Sequence, residues 1–150
     1  MFEPEEFSCD FKERQGCREK NNCGICSIEK GIERMERGLA EAERGLRRIR
    51  RCEFCEGVQC IQRGLAEMKK GLEEVKRALR HTNFEGRREI EVIICHLEEG
   101  IECLEKGLKT VCNGDVRRGT RLIEREICNI KRCLEALKQA ICSKEEKCCR

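Results

Sequence analysis

Gly31-Ile32-Glu33-Arg34-Met35-Glu36-Arg37-Gly38-Leu39-Ala40-Glu41-Ala42-Glu43-Arg44-Gly45-Leu46 is the stretch that decides how the chain is read. Its apolar residues Ile32, Met35, Leu39, Ala42 and Leu46 alternate by three and four, the a/d seam of a heptad helix. A glycine stands just before each a residue, at position g. Outward from this stretch the same phase recurs at Gly24, Gly57, Gly64, Gly71, Gly100 and Gly107, and also at Gly86 and Gly119. Eleven of the 13 glycines share it. A glycine inside a helix costs about 1 kcal/mol against alanine, so the set implies a penalty on the order of 10 kcal/mol. That is comparable to the whole stability of a domain. Close backbone approach between helices is the expected compensation, either to a sister helix or to a sister subunit.

Four seams follow. Helix one carries Ile25 through Ile49, helix two Val58 through Leu79, helix three Ile90 through Val111, and helix four Val116 through Ile141, with Thr120 as the one polar a residue. Breaks lie at Cys52-Glu53-Phe54-Cys55-Glu56, at Thr82-Asn83-Phe84-Glu85 with capping-box spacing, and at Asn113-Gly114-Asp115, a C-cap glycine before an N-cap aspartate. Short connections make neighbours antiparallel. The expected fold is all-α, an up-down-up-down four-helix bundle with helices at about 22–51, 57–80, 84–112 and 115–142. A cysteine-bearing lead (1–21) and a cysteine-rich tail (143–150) flank it. In helix four the g position decays to Gly119, Glu126, Cys133 and Ala140. Pairs such as Glu33–Arg37, Glu43–Arg47, Glu73–Arg77, Glu102–Lys106 and Glu105–Lys109 are expected on solvated helix faces.

Charged residues make up 41 % of the 150, yet the formal net charge is only +3 and both signs interleave. That pattern argues against a nucleic-acid protein, which gathers Lys and Arg on one face. The charge-rich composition, poor in Asn and Gln, is also that of thermostable proteins. The opening Met1-Phe2-Glu3-Pro4-Glu5-Glu6-Phe7 does not read as a secretory signal, and no stretch is apolar enough to span a membrane. Yet 15 cysteines in a short chain read as a disulfide scaffold from an oxidising compartment. Metal binding, a hyperthermophilic source, export by another route or prior removal of a signal each reconcile the two. An extracellular or spore-surface location fits the cysteines best, and the cytoplasm stays open.

The heptad phase sorts the cysteines. One end of the bundle collects Cys52, Cys55, Cys60 and Cys112. The other collects Cys23, Cys26, Cys142, Cys148 and Cys149, with Cys9 and Cys17 nearby. The middle holds Cys95, Cys103, Cys128 and Cys133, and none of the helix cysteines sits at a or d. The Cys23-x-x-Cys26 and Cys52-x-x-Cys55 pairs imitate a two-knuckle zinc site. A helix of about 26 residues separates them by about 39 Å, so one chain cannot bring both to one metal. Zinc held at either end by Cys23, Cys26, Cys142 and Cys148, or by Cys52 and Cys55, is the metal alternative. Cu(I) storage is its sharper form, but known copper-storage bundles line their interior with cysteine, and here the interior is Ile and Leu. A redox Cys-x-x-Cys enzyme would need an α/β context that is missing. His81 and His96 read as surface residues, and no nucleophile, base and oxyanion donor can be assembled.

The reading that remains is non-enzymatic: a disulfide-stapled bundle that self-assembles into a cross-linked filament, coat or appendage, without a cofactor. The odd cysteine count leaves a thiol over for another chain. Clusters at opposite ends suit end-to-end joining, and outward cysteines suit lateral ties. Spore-coat proteins resemble this in composition and habit, being cysteine-rich and cross-linked after release. The bland alternative is that the end cysteines staple loops within one monomer, each bridge contributing about 2–4 kcal/mol against the glycine penalty.

Overall fold

A computed structural model describes the backbone of residues 23–81 and 86–149, with side chains from 24 to 81 and from 86 to 142. Helix α1 spans Cys23–Arg50, α2 Phe54–Arg80, α3 Arg87–Cys112 and α4 Val116–Cys149. Among the described residues there is no strand. Each helix packs on its chain neighbour, and α1 closes the ring against α4. The architecture is the expected four-helix bundle. Its core is the a/d set: Ile28, Met35, Ile49, Ile61, Met68, Ile90, Leu97, Leu104, Ile123, Ile130 and Leu137 are all but inaccessible to solvent. Thr120 meets its hydroxyl need locally by donating to the Arg117 carbonyl at 3.0 Å.

The glycines pack within the monomer. On α1 and α2 they face one another in register as Gly31/Gly71, Gly38/Gly64 and Gly45/Gly57. A Cβ placed on Gly31 would lie 2.7 Å from the Gly71 carbonyl oxygen, on Gly38 2.5 Å from that of Gly64, and on Gly45 2.6 Å from that of Gly57. The reciprocal placements collide in the same way. The hydrogen that stands in for Cβ therefore points at a facing carbonyl. Such Cα–H···O contacts are worth about 0.5–1 kcal/mol each, and the close approach adds dispersion along both backbones. This contact offsets part of the glycine penalty without any bridge.

The α3–α4 hairpin keeps one such step, with a Cβ on Gly119 falling 2.8 Å from the Gly107 carbonyl. One heptad on, Gly100 faces Glu126, and a Cβ there would meet Ile130 Cγ1 at 2.9 Å. Further from the turn the paired g positions hold Ile93 and Cys133, so this hairpin opens where the other stays shut.

Position e faces the other neighbour. Glu36 pairs with Lys138 at 2.9 Å, Glu43 with Lys131, and Arg50 with Glu124 at 2.7 Å, one rung per heptad along the α1–α4 seam. Lys69 pairs with Glu105 and Lys76 with Glu98 along α2–α3. Glu43 and Glu105, which their spacing assigns to Arg47 and Lys109 on their own helices, reach across to the next helix instead. The hydrogen-bonded carboxylates raise the pKa of Lys76, Lys131 and Lys138. A raised lysine contributes in full below its ordinary value and is lost only as pH climbs through the folded one, so these rungs hold throughout neutral pH.

Both described turns close by the same pair of bonds. Cys52 N–H donates to the Ile49 carbonyl (2.9 Å) and Glu53 N–H to that of Arg48 (2.8 Å). Gly114 N–H donates to Val111 (3.0 Å) and Asp115 N–H to Thr110 (3.1 Å). This is the Schellman pattern, with its left-handed residue at Cys52 (φ 67°) and Gly114 (φ 105°). Asp115 then caps α4, its Oδ1 accepting from Arg118 N–H at 3.3 Å. The capping box at 82–85 lies outside the described residues. Helix α3 starts only at Arg87, after Gly86 in the left-handed region (φ 77°), so Gly86 shares the glycine phase but not the helix interior. Helix α4 continues to Cys149, through the stretch read as a tail.

Two outcomes follow. Gly38→Ala or Gly64→Ala should destabilise the bundle by about 2 kcal/mol or more in spite of alanine's helix preference, whereas Gly100→Ala should stay within about 1 kcal/mol of the parent; denaturant titration of the three variants checks this. Lys131→Glu should destabilise, and adding Glu43→Lys should restore about 0.5–1 kcal/mol of coupling in a double-mutant cycle.

Candidate functional site

Burial divides the cysteines more finely than heptad phase does. Cys52, Cys55 and Cys112 are exposed at the end formed by the α1–α2 and α3–α4 turns. Cys95 and Cys128 are exposed on opposite flanks, and Cys103 and Cys133 are half-buried. Cys60, assigned by phase to the open end, is only 4 % exposed. The glycine contact draws α1 so close that its position c is enclosed, with Cys60 Cβ 3.0 Å from where a Cβ on Gly45 would stand. Its sulfur accepts from Arg63 Nη2 at 3.2 Å.

No disulfide joins Cys52, Cys55, Cys60, Cys95, Cys103, Cys112, Cys128 or Cys133. For these eight, stapling within one monomer is not what the structure shows: Cys52, Cys55, Cys60 and Cys112 share an end without being bridged. Cys9 and Cys17, and the side chains of Cys23, Cys148 and Cys149, lie outside the described residues, and with them the metal alternative at that end. Among the described residues no three of His, Cys, Asp and Glu converge to hold a metal ion, so Cys52 and Cys55 find no further ligands beside them.

Two features mark the thiol-bearing surface. Cys52 occupies the left-handed position of its turn, where a side chain costs about 1–2 kcal/mol and glycine is the usual choice; the fold gains nothing from a thiol there. The second is a shallow groove over the α3–α4 seam, lined by His96, Glu99, Cys103, Glu126, Asn129 and Cys133, among others. On the other hairpin the equivalent strip is strapped by Arg34, which bridges Glu67 (3.2 Å) and Glu74 (2.7 Å), and by Arg63 on Glu41 (3.0 Å). Here Glu126, 7 % exposed, takes the place of a glycine and accepts from Asn129 Nδ2 at 3.3 Å. Burial pushes the Cys133 thiol up, against an opposing pull from Arg132, with a smaller upward push from the Glu126 carboxylate. The thiolate form of Cys133 is disfavoured accordingly. Of these residues, the sequence singled out Cys103 and Cys133 but not Glu126, whose one signal was a charge in a glycine register.

No known protein family, curated protein or solved structure matches the chain.

In the reduced protein at mildly alkaline pH, iodoacetamide should modify Cys52, Cys55, Cys112, Cys95 and Cys128 quickly and Cys133 at least about tenfold more slowly, since the thiolate is the nucleophile. Cys60 should react only on unfolding. Peptide mass spectrometry of a time course reads all seven.

Proposed function

We propose that the protein is a non-enzymatic building block whose outward thiols join copies into a cross-linked filament, coat or appendage. The observation that carries this reading is the placement of Cys52, Cys55, Cys112, Cys95 and Cys128: all are exposed, and none is bridged within the chain. A bundle held by glycine contacts, an aliphatic core and ion-pair rungs has no need of them for folding. Each link forms one S–S bond from two thiols, which release two protons and pass two electrons to an oxidant such as dioxygen or a small disulfide. Thiols at one end and on both flanks permit end and lateral ties together, which makes an extended assembly rather than a closed dimer. No helix of the described residues is long and apolar enough to cross a membrane, which fits an assembly held by contacts between chains.

The test is electrophoresis of native material with and without reductant, beside elemental analysis. Ladders of multiples of 17.5 kDa that collapse on reduction are the expected result. A monomer of unchanged mobility carrying stoichiometric zinc or copper would overturn the proposal in favour of thiolate metal binding.

A further inference from the structure

We infer that copies of this chain are joined head to tail by an acidic arm, residues 2–11 of one copy seating on the arginine-rich turn end of the next. The inference rests on the assembling role proposed above and names the surfaces that meet.

The receiving surface is built where α1 ends beside the start of α4, a proximity fixed by the Arg50–Glu124 pair at 2.7 Å. Arg47 and Arg121 precede the members of that pair by one helical turn on their own helices, and Arg51, Arg117 and Arg118 lie at the helix ends. All five are exposed, and none makes an ion pair among the described residues. Of the carboxylates at this end, Glu53 is taken by Arg48 and Glu124 by Arg50. Asp115 caps α4 and Glu56 stands on α2, so arginine is left in excess. Every cation of residues 44–51 and 117–125 is arginine. Its planar fork holds a carboxylate through two parallel bonds, which lysine cannot do. Arg117 and Arg118 also lie in the first turn of α4, which holds no acidic residue. Cations there oppose the helix dipole, a local cost with no return inside the monomer. Along the sequence both signs interleave; the packing of α1 on α4 is what gathers these arginines.

The occupant has to be acidic throughout. Even α3, the helix richest in carboxylate, offers no such face, because its outward Glu89, Glu99 and Glu102 stand among exposed Arg88, Lys106 and Lys109. The stretch Phe2-Glu3-Pro4-Glu5-Glu6-Phe7-Ser8-Cys9-Asp10-Phe11 meets the requirement, with four carboxylates and no lysine or arginine. Charge of one sign then meets an excess of the other. The arm also brings three phenylalanines to the end where Phe54 is 41 % exposed.

Chain length assigns the arm to a neighbour. It joins the bundle at Cys23, the end of α1 away from the arginines, and α1 is 28 residues long, about 42 Å. The twelve peptide units from Phe11 to Cys23 span about 40 Å when fully extended. On its own chain the arm reaches the turn end only if drawn out straight along the bundle. The turn end of a second copy set behind α1 is met without that extension. An arm and an end are different surfaces, so each docked copy leaves one of each free and the assembly propagates. Seating the arm also brings Cys9 to the end that exposes Cys52 and Cys55. Oxidation then joins Cys9 to one of them, the two thiols giving up two protons and two electrons to dioxygen or a small disulfide.

The test uses the full chain under reductant, with self-association read by sedimentation velocity. Association at low ionic strength should dissolve at high salt. R118E/R121E should weaken it about tenfold or more, and E5K/E6K equally, with helical content unchanged by circular dichroism. Mixing the two variants should restore it, because each supplies the surface the other lacks. Unchanged association in either variant, or a parent chain that stays monomeric at every concentration with its arm on its own bundle, overturns the inference. So does binding to a random DNA duplex that R118E/R121E abolishes while self-association persists, which would make the arginines a polyanion site. Arm-dependent association without ladders on oxidation supports the docking and removes the cross-linking role. Ladders equally strong in both variants, with no Cys9 link to Cys52 or Cys55 by peptide mapping, overturn the docking and leave the cross-linking role standing.

Discussion

Backbone-to-backbone contact between α1 and α2 sets the geometry on which everything else depends. Three glycine pairs, one per heptad, hold the two helices so near that a single methyl group would strike a carbonyl oxygen. A core of Ile, Leu and Met tolerates many helix spacings. A row of glycine against glycine tolerates only one, because each residue on one side sets the depth to which its opposite sinks. The contact also encloses Cys60 at a position that a wider pair would leave in solvent.

With position g committed to the hairpin partner, position e is left to meet the other neighbour, and its charges make that meeting selective. Along α1 and α4 the rungs run Glu36–Lys138, Glu43–Lys131 and Arg50–Glu124, the polarity inverting at the last. Along α2 and α3 lysine stands on one side and glutamate on the other. A slip by one heptad on the first seam would set like charges against each other at the inverted rung. Each exposed pair adds little stability. Their value is in excluding the wrong register.

The two hairpins are unequal copies of one idea. The first is glycine-paired at three successive heptads and strapped over by Arg34 and Arg63. The second keeps the pairing beside its turn, then admits Glu126, Ile93 and Cys133 at the positions that glycine would hold. The exposed thiols of the described residues lie on this second half and on the end it shares with the first turn. One hairpin holds its helices at closest approach, and the other carries the outward thiols Cys95, Cys112 and Cys128.

How much of this was legible in the residues follows from the range of the forces involved. Helix existence, the a/d core and the two-bond turn at Gly114 are encoded within a few residues of one another, and periodicity alone revealed them. The exposure of Cys95 and Cys128 also came from phase, since position b points outward on any such helix. Which helix each glycine row faces did not, because g borders two neighbours and only the packed bundle chooses between them. The same choice decided that Glu43 and Glu105 bind across helices, since a long side chain takes whichever opposite charge tertiary packing brings closest. It decided the burial of Cys60, which follows from an interhelical distance rather than from its place in the heptad. The sequence by itself determined the helices and the face each buries. The tertiary structure decided which face meets which, because that is a property of two surfaces at once.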